Sequence, residues 1–350
     1  MTKYDPYADE SQRVPDEYEV YEALFDPSYA ERRVRYRPKP AGKSPDRRSK
    51  EEVVSELADS IVLEGGFRTT YKPGRHEEGW LLDSLRAFYD EALIVDVLGQ
   101  VKGGKEASVY RCEAHPSVGV PYLAAKVYRP HELRTMRNDA RYRRGRQILT
   151  EDGRAAKTTD HRIMRAIGKK SKFGLQVMHT SWLMHEYTAM EQLYQAGAAV
   201  PHPFAASENA ILMGYYGDEV RGAPTLSEVR LDPDEAVPLF AEVQRNIEVM
   251  LAHDMIHGDL SAYNILYWAD SVVVIDFPQV IESSRNREAY DILGRDVQRV
   301  CDYFRRQGVR RDPAALLDEL WTRYIENGWT AMIRAADWSL REQAWEDEEA

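Results

Sequence analysis

Two aspartates and an asparagine lie close together in the sequence, in a setting that suits phosphoryl transfer. Asp259 and Asn264 fall in the polar segment His257–Asn264, and Asp276 follows the apolar run Val272–Ile275. A carboxylate in such a loop can orient the acceptor hydroxyl, and an oxygen pair can hold Mg²⁺. The pattern therefore predicts a site for a metal-bound phosphate.

The alternative for these residues is a capped turn beside a solvent-exposed aspartate. We favour the phosphate site because Asp276 follows four apolar residues, and a charge without a function would be costly there. The runs Ile265–Tyr267 and Val272–Val274, separated by Ala269–Ser271, predict a hairpin. Asp276 would then end the second strand of that hairpin, close to the loop that carries Asp259.

A pair of glycines upstream is a candidate phosphate loop. Gly103 and Gly104 lie between the strand-like segments Leu93–Val97 and Ser108–Cys112. Glycines let a hairpin backbone approach phosphates closely. Paired glycines also commonly form a simple turn, and neither the Walker nor the dinucleotide-binding glycine pattern is present. Taken alone, the pair therefore leaves both interpretations open.

Lys126 and Glu186 are predicted to form a buried ion pair. Lys126 lies in the alternating segment Tyr122–Tyr128, which predicts a strand, on the face opposite Leu123, Ala125 and Val127. Glu186 falls on the apolar stripe of a helix predicted over Ser181–Gln195. A carboxylate on such a stripe needs a cation, and Lys126 could supply it while also reaching the phosphates. The alternative is an ordinary surface lysine.

Four segments together carry a resemblance to a known family: GKEASVY at Gly104–Tyr110, AAKVYRP around Lys126, HGDLSAYNIL at His257–Leu266 and IDFPQ at Ile275–Gln279. In combination they resemble the RIO family of atypical serine/threonine protein kinases, over about Val95 to Val309. The resemblance implies an α+β, bilobal protein-kinase-like fold with a small strand-rich N-lobe, a mainly helical C-lobe and no extended activation segment. The loop from His257 is closer to the first RIO type, which we favour, and Phe277–Gln279 is closer to the second.

The resemblance also assigns roles to individual residues. It implies Asp259, Lys126 and Asp276 as catalytic residues, and Asn264 with Asp276 as metal ligands. Its ligands would be ATP and Mg²⁺, with Mn²⁺ as a substitute. The nucleotide-binding residues that it implies are Gly103, Gly104, Lys105, Ser108 and Val109 of the phosphate loop, Lys126 with Glu186, and Met213, Tyr215 and Tyr216 in the segment that joins the lobes.

Three functions remain open. The first is phosphoryl transfer to serine or threonine of proteins, including the chain itself, or ATPase switching of the RIO kind. The second is a small-molecule kinase similar to the aminoglycoside phosphotransferases, and the third is a nucleotide-dependent RNA- or ribosome-binding assembly factor with slow turnover. The loop Gly104–Ala107 together with Pro278 and Gln279 favours the first.

The region around the catalytic loop gives further expectations. Only about a dozen irregular residues separate Asp276 from the next predicted helix, so a peptide platform of the ordinary kinase type is not expected. Gly258 stands where most protein kinases have arginine, and we therefore expect no cation beside Asp259. His257 and Asp296 are expected to fix the loop through hydrogen bonds.

A basic segment interrupts an otherwise acidic chain. Residues Arg129–Lys172, here called the basic arm, contain 14 Lys and Arg against 5 Asp and Glu, whereas the whole chain has a net charge of −11. Basic segments bind phosphate-rich partners through counterion release, so RNA or a ribosomal subunit is a candidate partner. A lid over bound ATP and a solvated loop without function are the alternatives.

The remaining sequence bounds the organisation of the protein. Two cysteines in 350 residues give no disulfide framework, and no apolar run is long enough to span a membrane, so we expect a cytoplasmic protein without a membrane partner. Helical spacing appears at Glu51–Leu63, Glu78–Tyr89 and Asp234–His253. The predicted units are a disordered lead at 1–50, a helical extension at 51–92, a kinase domain at 93–310 (N-lobe about 93–213, C-lobe about 217–310) and a helical tail with an acidic end at 311–350.

Overall fold

The computed structural model describes residues 69–73, 75–104, 107–129 and 171–327, together with Leu149, Arg165 and Lys169. The predicted lead at 1–50, the helix predicted at Glu51–Leu63, Lys105, most of the basic arm and the end of the tail lie outside the described residues. Within the described part, no helix is both long and apolar enough to cross a membrane.

The N-lobe is a five-stranded antiparallel sheet with a helix on each face. The strand order is β1-β2-β3-β5-β4. The pleated backbone directs successive side chains of each strand to opposite faces of the sheet. The elements are α1 (Arg75–Asp90), β1 (Ile94–Gly103), β2 (Ala107–Ala114), β3 (Tyr122–Tyr128), α2 (Lys172–Gln195), β4 (Pro203–Ala206) and β5 (Ala210–Gly214).

The two faces of this sheet pack against different cores. Leu123, Ala125 and Val127 point to a core shared with α1. Tyr128, on the opposite face of β3, belongs to a core with α2. Lys126 shares that opposite face because residues two apart on a strand point the same way. The predicted orientation of Lys126 is thus the observed one.

Within the described residues, the C-lobe contains three helices and short two-stranded pairs. Helix α3 starts with a capping box between Asp232 and Glu235, and Pro233 occupies its first turn. The elements are α3 (Pro233–Ala252), β6 (Met255–Ile256), a 3₁₀ turn (Ala262–Asn264), β7 (Ile265–Trp268), β8 (Ser271–Val274), β9 (Ile281–Glu282), α4 (Ala289–Arg306) and α5 (Pro313–Trp321), which continues as a π turn (Thr322–Glu326).

The predicted hairpin before Asp276 is present, with a tighter turn than expected. Ser271 already pairs with Trp268, so the turn consists of Ala269 and Asp270 alone. Both have positive φ, 51° and 59°, which is the geometry of a two-residue type I′ turn. The strand ends at Val274, and Asp276 lies two residues beyond it.

The segment after Asp276 is short and is held against the C-lobe. Strand β9 pairs with β6, and α4 begins at Ala289. The carboxylate of Asp254 accepts hydrogen bonds from the hydroxyls of Ser283 and Ser284. The chain therefore has no extended activation segment, and the predicted two-lobed α+β fold is confirmed.

Candidate active site

Lys126 lies at the centre of an ionic cluster between the lobes, in which Lys126 and Glu186 are buried and Asp276 is partly exposed. Its Nζ is 2.5 Å from Oε1 of Glu186 on α2 and 2.6 Å from Oδ1 of Asp276. The hydroxyl of Tyr128 donates to the other oxygen of Glu186. Lys126 and Glu186 are only 8% and 3% exposed, so the charges satisfy one another instead of being hydrated.

The charges in this cluster fix the protonation states. Burial alone would lower the pKa of Lys126, but the carboxylates of Asp276 and Glu186 outweigh it and hold that pKa well above its usual value. Burial would raise the pKa of Asp276, whereas the charge of Lys126 and its hydrogen bond lower it. The cluster therefore presents a permanent cation beside a permanent anion at neutral pH.

Asp259 and Asn264 form the second half of the site. Nδ2 of Asn264 donates to the backbone oxygen of Asp259 at 2.9 Å and lies 3.3 Å from its Oδ2. These bonds fix the orientation of the amide, because only its nitrogen can donate. Oδ1 of Asn264 is left without a hydrogen-bond partner among the described residues, and it can act as a metal ligand.

The backbone brings Asp276 back to this loop. The N–H of Ile275 donates to the backbone oxygen of Asn264 at 2.9 Å. Asp276 itself has φ 73°, in the left-handed region that non-glycine residues rarely occupy. Such strain is tolerated where the surrounding contacts impose it, and it is frequent at functional sites.

His257 connects the two segments through both ring nitrogens. Its Nδ1 accepts from the N–H of Asp259 at 3.3 Å, so its Nε2 carries the proton and donates to the backbone oxygen of Ile275 at 3.1 Å. Burial lowers the pKa of His257, which favours this neutral form. His257 thus joins the catalytic loop to the segment that carries Asp276, as expected from the sequence.

Asp296 of α4 fixes the same catalytic loop through its carboxylate. Its carboxylate accepts from the N–H of Gly258 at 2.8 Å and from the N–H of Leu260 at 3.1 Å. Burial nevertheless raises the pKa of Asp296 to about 7, because only part of the desolvation is offset by these bonds. The expected role in fixing the loop agrees with this geometry.

The raised pKa of Asp296 predicts a specific dependence of stability on pH. The folded-state pKa of about 7 exceeds the unfolded value of 3.8, so the folded state binds the proton more tightly and loses stability as pH rises between these values. We expect the parent to lose about 2 kcal/mol relative to Asp296→Asn between about pH 5 and about pH 7. Urea unfolding of both proteins measures this difference; a difference that does not change with pH would contradict it.

The glycine loop forms the β1–β2 turn. The side chains that follow it in β2 alternate between the two faces of the sheet. A Cβ on Gly104 would lie 2.6 Å from the backbone oxygen of Ala107, so only glycine fits there. Val109 pairs with Lys126 across β2 and β3 and shares its face. Ser108 is buried on the opposite face with Val127. Its backbone, and not its hydroxyl, is therefore the group of Ser108 that can reach a nucleotide on the Lys126 side.

The segment that joins the lobes begins at the end of β5. Met213 pairs with Ala124, which lies two residues before Lys126 on the same face of β3. Tyr215 and Tyr216 follow, and the hydroxyl of Tyr215 donates to the backbone oxygen of Asp218. Ala124 and Met213 thus extend the Lys126 face of the cleft toward the joining segment.

Arg299 was not predicted from the sequence as part of this site. Its Nη1 lies 2.6 Å from Oδ1 of Asp259. The expectation that no cation lies beside Asp259 is therefore wrong. Gly258 supplies no charge, but α4 brings an arginine from 40 positions further along the chain, and no local pattern could indicate that.

Tyr128 was also missed, although a signal for it existed. It lies two residues after Lys126 on the same face of β3 and donates its hydroxyl to Glu186. Spacing of two along a predicted strand could have placed it beside the ion pair. The site therefore contains one neighbour that alternation could have found and one, Arg299, that only the tertiary fold supplies.

Comparison with known proteins identifies the family. A model of the RIO domain matches residues 141–316, just over half of the chain. The chain belongs to the RIO family. The RIO match contains Glu186, Asp259, Asn264 and Asp276, whereas Lys126 lies before it.

Two curated RIO relatives are similar over most of this chain. The serine/threonine-protein kinase RIO1 of Chaetomium thermophilum is 30% identical over 267 residues, which cover 72% of this chain and 48% of the relative. The RIO-type serine/threonine-protein kinase Rio1 of Haloferax volcanii is 30% identical over 221 residues, which cover 63% of this chain and 67% of the relative. The chain thus spans about half the length of the first RIO relative. Both are Rio1 proteins, so the preference for the first RIO type is confirmed.

Solved RIO structures are also similar to the chain. The Rio2 kinase–ADP/Mg²⁺–phosphoaspartate complex from Chaetomium thermophilum has a TM-score of 0.47 and 20% identity, over 84% of this chain and 85% of that one. A further Rio2 kinase structure from the same organism has a TM-score of 0.47 and 21% identity.

Proposed function

We propose that this chain is an ATP- and Mg²⁺-dependent protein kinase that phosphorylates serine or threonine, including residues of its own. The observation that carries the proposal is Lys126, held between Glu186 and Asp276 at 2.5 and 2.6 Å. A buried lysine with two carboxylate partners at the junction of two lobes is suited to polyphosphate binding, since phosphates can take over part of its ionic contacts. The Rio1 kinases of Chaetomium and Haloferax support the same conclusion.

Each residue of the site has a separate role in the proposed phosphoryl transfer. The acceptor oxygen forms a bond to the γ-phosphorus, the bond from that phosphorus to the β–γ bridging oxygen breaks, and ADP leaves with the electron pair. Asp259 orients the acceptor hydroxyl and accepts its proton. Lys126 neutralises charge on the phosphates, and Glu186 positions Lys126.

The donor set fits a magnesium ion that is shared with ATP. No three His, Cys, Asp or Glu side chains cluster as a metal site within the described residues, but Mg²⁺ bound with phosphates needs only one or two protein oxygens besides water. Oδ1 of Asn264 and the carboxylate of Asp276 supply these. The ion would neutralise phosphate charge in the transition state; Mn²⁺ could replace it with the same ligands.

The nucleotide would lie along the face of β3 that carries Lys126. We propose that Gly103, Gly104 and the backbone of Ser108 contact the phosphates, together with Lys105, which lies outside the described residues. Val109 shares the Lys126 face, and Met213, Tyr215 and Tyr216 lead from β5 to the C-lobe. This placement would bring adenine to the joining segment and the γ-phosphate to Asp259.

Protein substrates are preferred over small molecules because the acceptor side is open. Asp259 and Arg299 keep 38% and 44% of their side-chain surface exposed, as a large acceptor requires. We further propose that the protein acts in the cytoplasm, where the buried free thiols of Cys112 and Cys301 stay reduced. Contact of the basic arm with RNA or a ribosomal subunit is the second proposal, and it rests on charge alone.

The function can be tested with ATP, Mg²⁺ and the purified chain. We expect ADP release together with a mass increase of one or more phosphoryl groups, and we expect Asp259→Asn to lose both. Asp270→Asn is the matched control, because Asp270 is an exposed turn residue of the neighbouring hairpin. ADP release without phosphorylation of the chain or of added protein would instead support the ATPase switch.

A further inference from the structure

A groove on the C-lobe leads to the catalytic carboxylate. It is a cavity of about 490 Å³ between α4 and α5. Its apolar surface comes from Tyr290 and Leu317, and Gly294 lies between them. A Cβ on Gly294 would meet Cδ2 of Leu317 at 3.1 Å, so the absence of a side chain there keeps the groove open.

Arg299 forms the inner end of this groove. It lines the cavity and also donates to Oδ1 of Asp259 at 2.6 Å. Within the described residues, that carboxylate is the acceptor for Arg299, and only Nη1 is used. A guanidinium has five N–H donors in a planar fork, so further donors are available for a second carboxylate.

The ion pair between Arg299 and Asp259 is weak enough for another carboxylate to replace Asp259 as the partner of Arg299. Both side chains are about two-fifths exposed, and an ion pair in such a setting is weak because solvent screens it. A carboxylate brought by a bound peptide could therefore take the guanidinium from Asp259. Asp259 would then be free to accept the proton of the acceptor hydroxyl.

The other charged groups that line the groove limit what it can accept. Asp291 and Arg295 oppose each other in sign, and Gln298 is neutral. Asp318 accepts from the hydroxyl of Tyr290 at the side near α5. A preference for an acidic side chain is thus confined to the inner end, and the middle of the groove favours an apolar side chain.

We propose that this groove binds the protein substrate, and that Arg299 selects an acidic side chain close to the phosphorylated serine or threonine. An extended chain advances about 3.3 Å per residue, so the acidic residue lies about one to three positions from the acceptor. An apolar side chain further along the peptide fills the space between Tyr290 and Leu317. This inference rests on the proposed kinase function, since Asp259 must be where the hydroxyl is delivered.

The test compares three serine peptides that are identical except that all three positions on each side of the acceptor carry Glu, Gln or Lys. We expect the parent to phosphorylate the Glu peptide with a kcat/KM about fivefold above the Gln peptide, and Arg299→Gln to bring the ratio close to one. Arg299→Glu should reverse the order in favour of the Lys peptide. Arg306→Gln is the matched control, because Arg306 is exposed on the same helix and does not line the groove.

A second variant and a binding measurement test the groove proposal separately from the proposed kinase function. Gly294→Val fills the groove away from the phosphoacceptor and should raise KM for all three peptides with little change in their order. Fluorescence anisotropy of labelled Glu and Gln peptides measures docking without phosphoryl transfer. Equal use of Glu and Gln peptides by the parent, or an unchanged ratio in Arg299→Gln, would overturn the inference and leave the kinase proposal standing. Arg299-dependent binding of the Glu peptide without its phosphorylation would overturn the kinase proposal and leave the inference about the groove standing.

Discussion

Replacing Asp276 by Asn is expected to lower Mg²⁺-dependent ATP turnover at least about 100-fold. The change removes the anionic member of the proposed metal set and one of the two carboxylates that contact Lys126, at 2.6 Å. Charge compensation for the β- and γ-phosphates is then lost. Asn tolerates the left-handed φ of 73° at this position, so the backbone should be preserved.

The measurement is ADP release at saturating ATP across a series of Mg²⁺ concentrations. Asp270→Asn is the control, because it makes the same chemical change at another left-handed position, φ 59°, in the adjoining hairpin. Circular dichroism of both variants should match the parent. Turnover within about tenfold of the parent at all Mg²⁺ concentrations would mean that Asp276 does not hold the metal.

Lys126→Met and Glu186→Gln are each expected to lower turnover by orders of magnitude, while the double variant should lose little more than Lys126→Met alone. Glu186 acts through Lys126, which it contacts at 2.5 Å. Once the lysine is gone, the glutamate has no further contribution to phosphate binding, and so the two effects do not add. Glu186→Gln should be the milder change, because Lys126 keeps its contact with Asp276.

This double-mutant cycle is measured as kcat/KM for ATP in the parent, the two single variants and the double variant. Glu191→Gln is a suitable control on the same helix, since Glu191 is only partly buried and lies outside the cluster. Losses that multiply in the double variant would show that Lys126 and Glu186 act independently. Thermal unfolding should accompany the kinetics, because a buried carboxylate without its cation also destabilises the fold.

Much of the site could be predicted because its residues lie on regular elements with visible periodicity. Alternation along β3 placed Lys126 opposite its apolar neighbours, and the helical stripe of α2 placed Glu186 toward the sheet. The hairpin followed from two β-branched runs and the short turn between them. In each case the pattern repeats within a few residues, so the sequence contains the information locally.

The differences arise where a helix cap or a tertiary contact, which the repeating pattern does not show, decides the structure. Helix α2 begins at Lys172 and not at Ser181, because the hydroxyl of Ser171 caps the N–H of Gly174 and the helix accommodates that glycine. Asp276 does not end the strand, since the bond from Ile275 to Asn264 bends the backbone first. Arg299 reaches Asp259 only because α4 packs beneath the catalytic loop.

The packing of α2 has a consequence for how the protein unfolds. Leu183 and Leu193 of α2 belong to one continuous core with Phe240 and Phe304 of the C-lobe, while the opposite face of the sheet packs separately on α1. Regions that share a core tend to open as one cooperative unit. The border between unfolding units thus runs through the N-lobe sheet and not between the lobes. Glu186 then opens together with helix α4, which carries Asp296, while α1 can be released first.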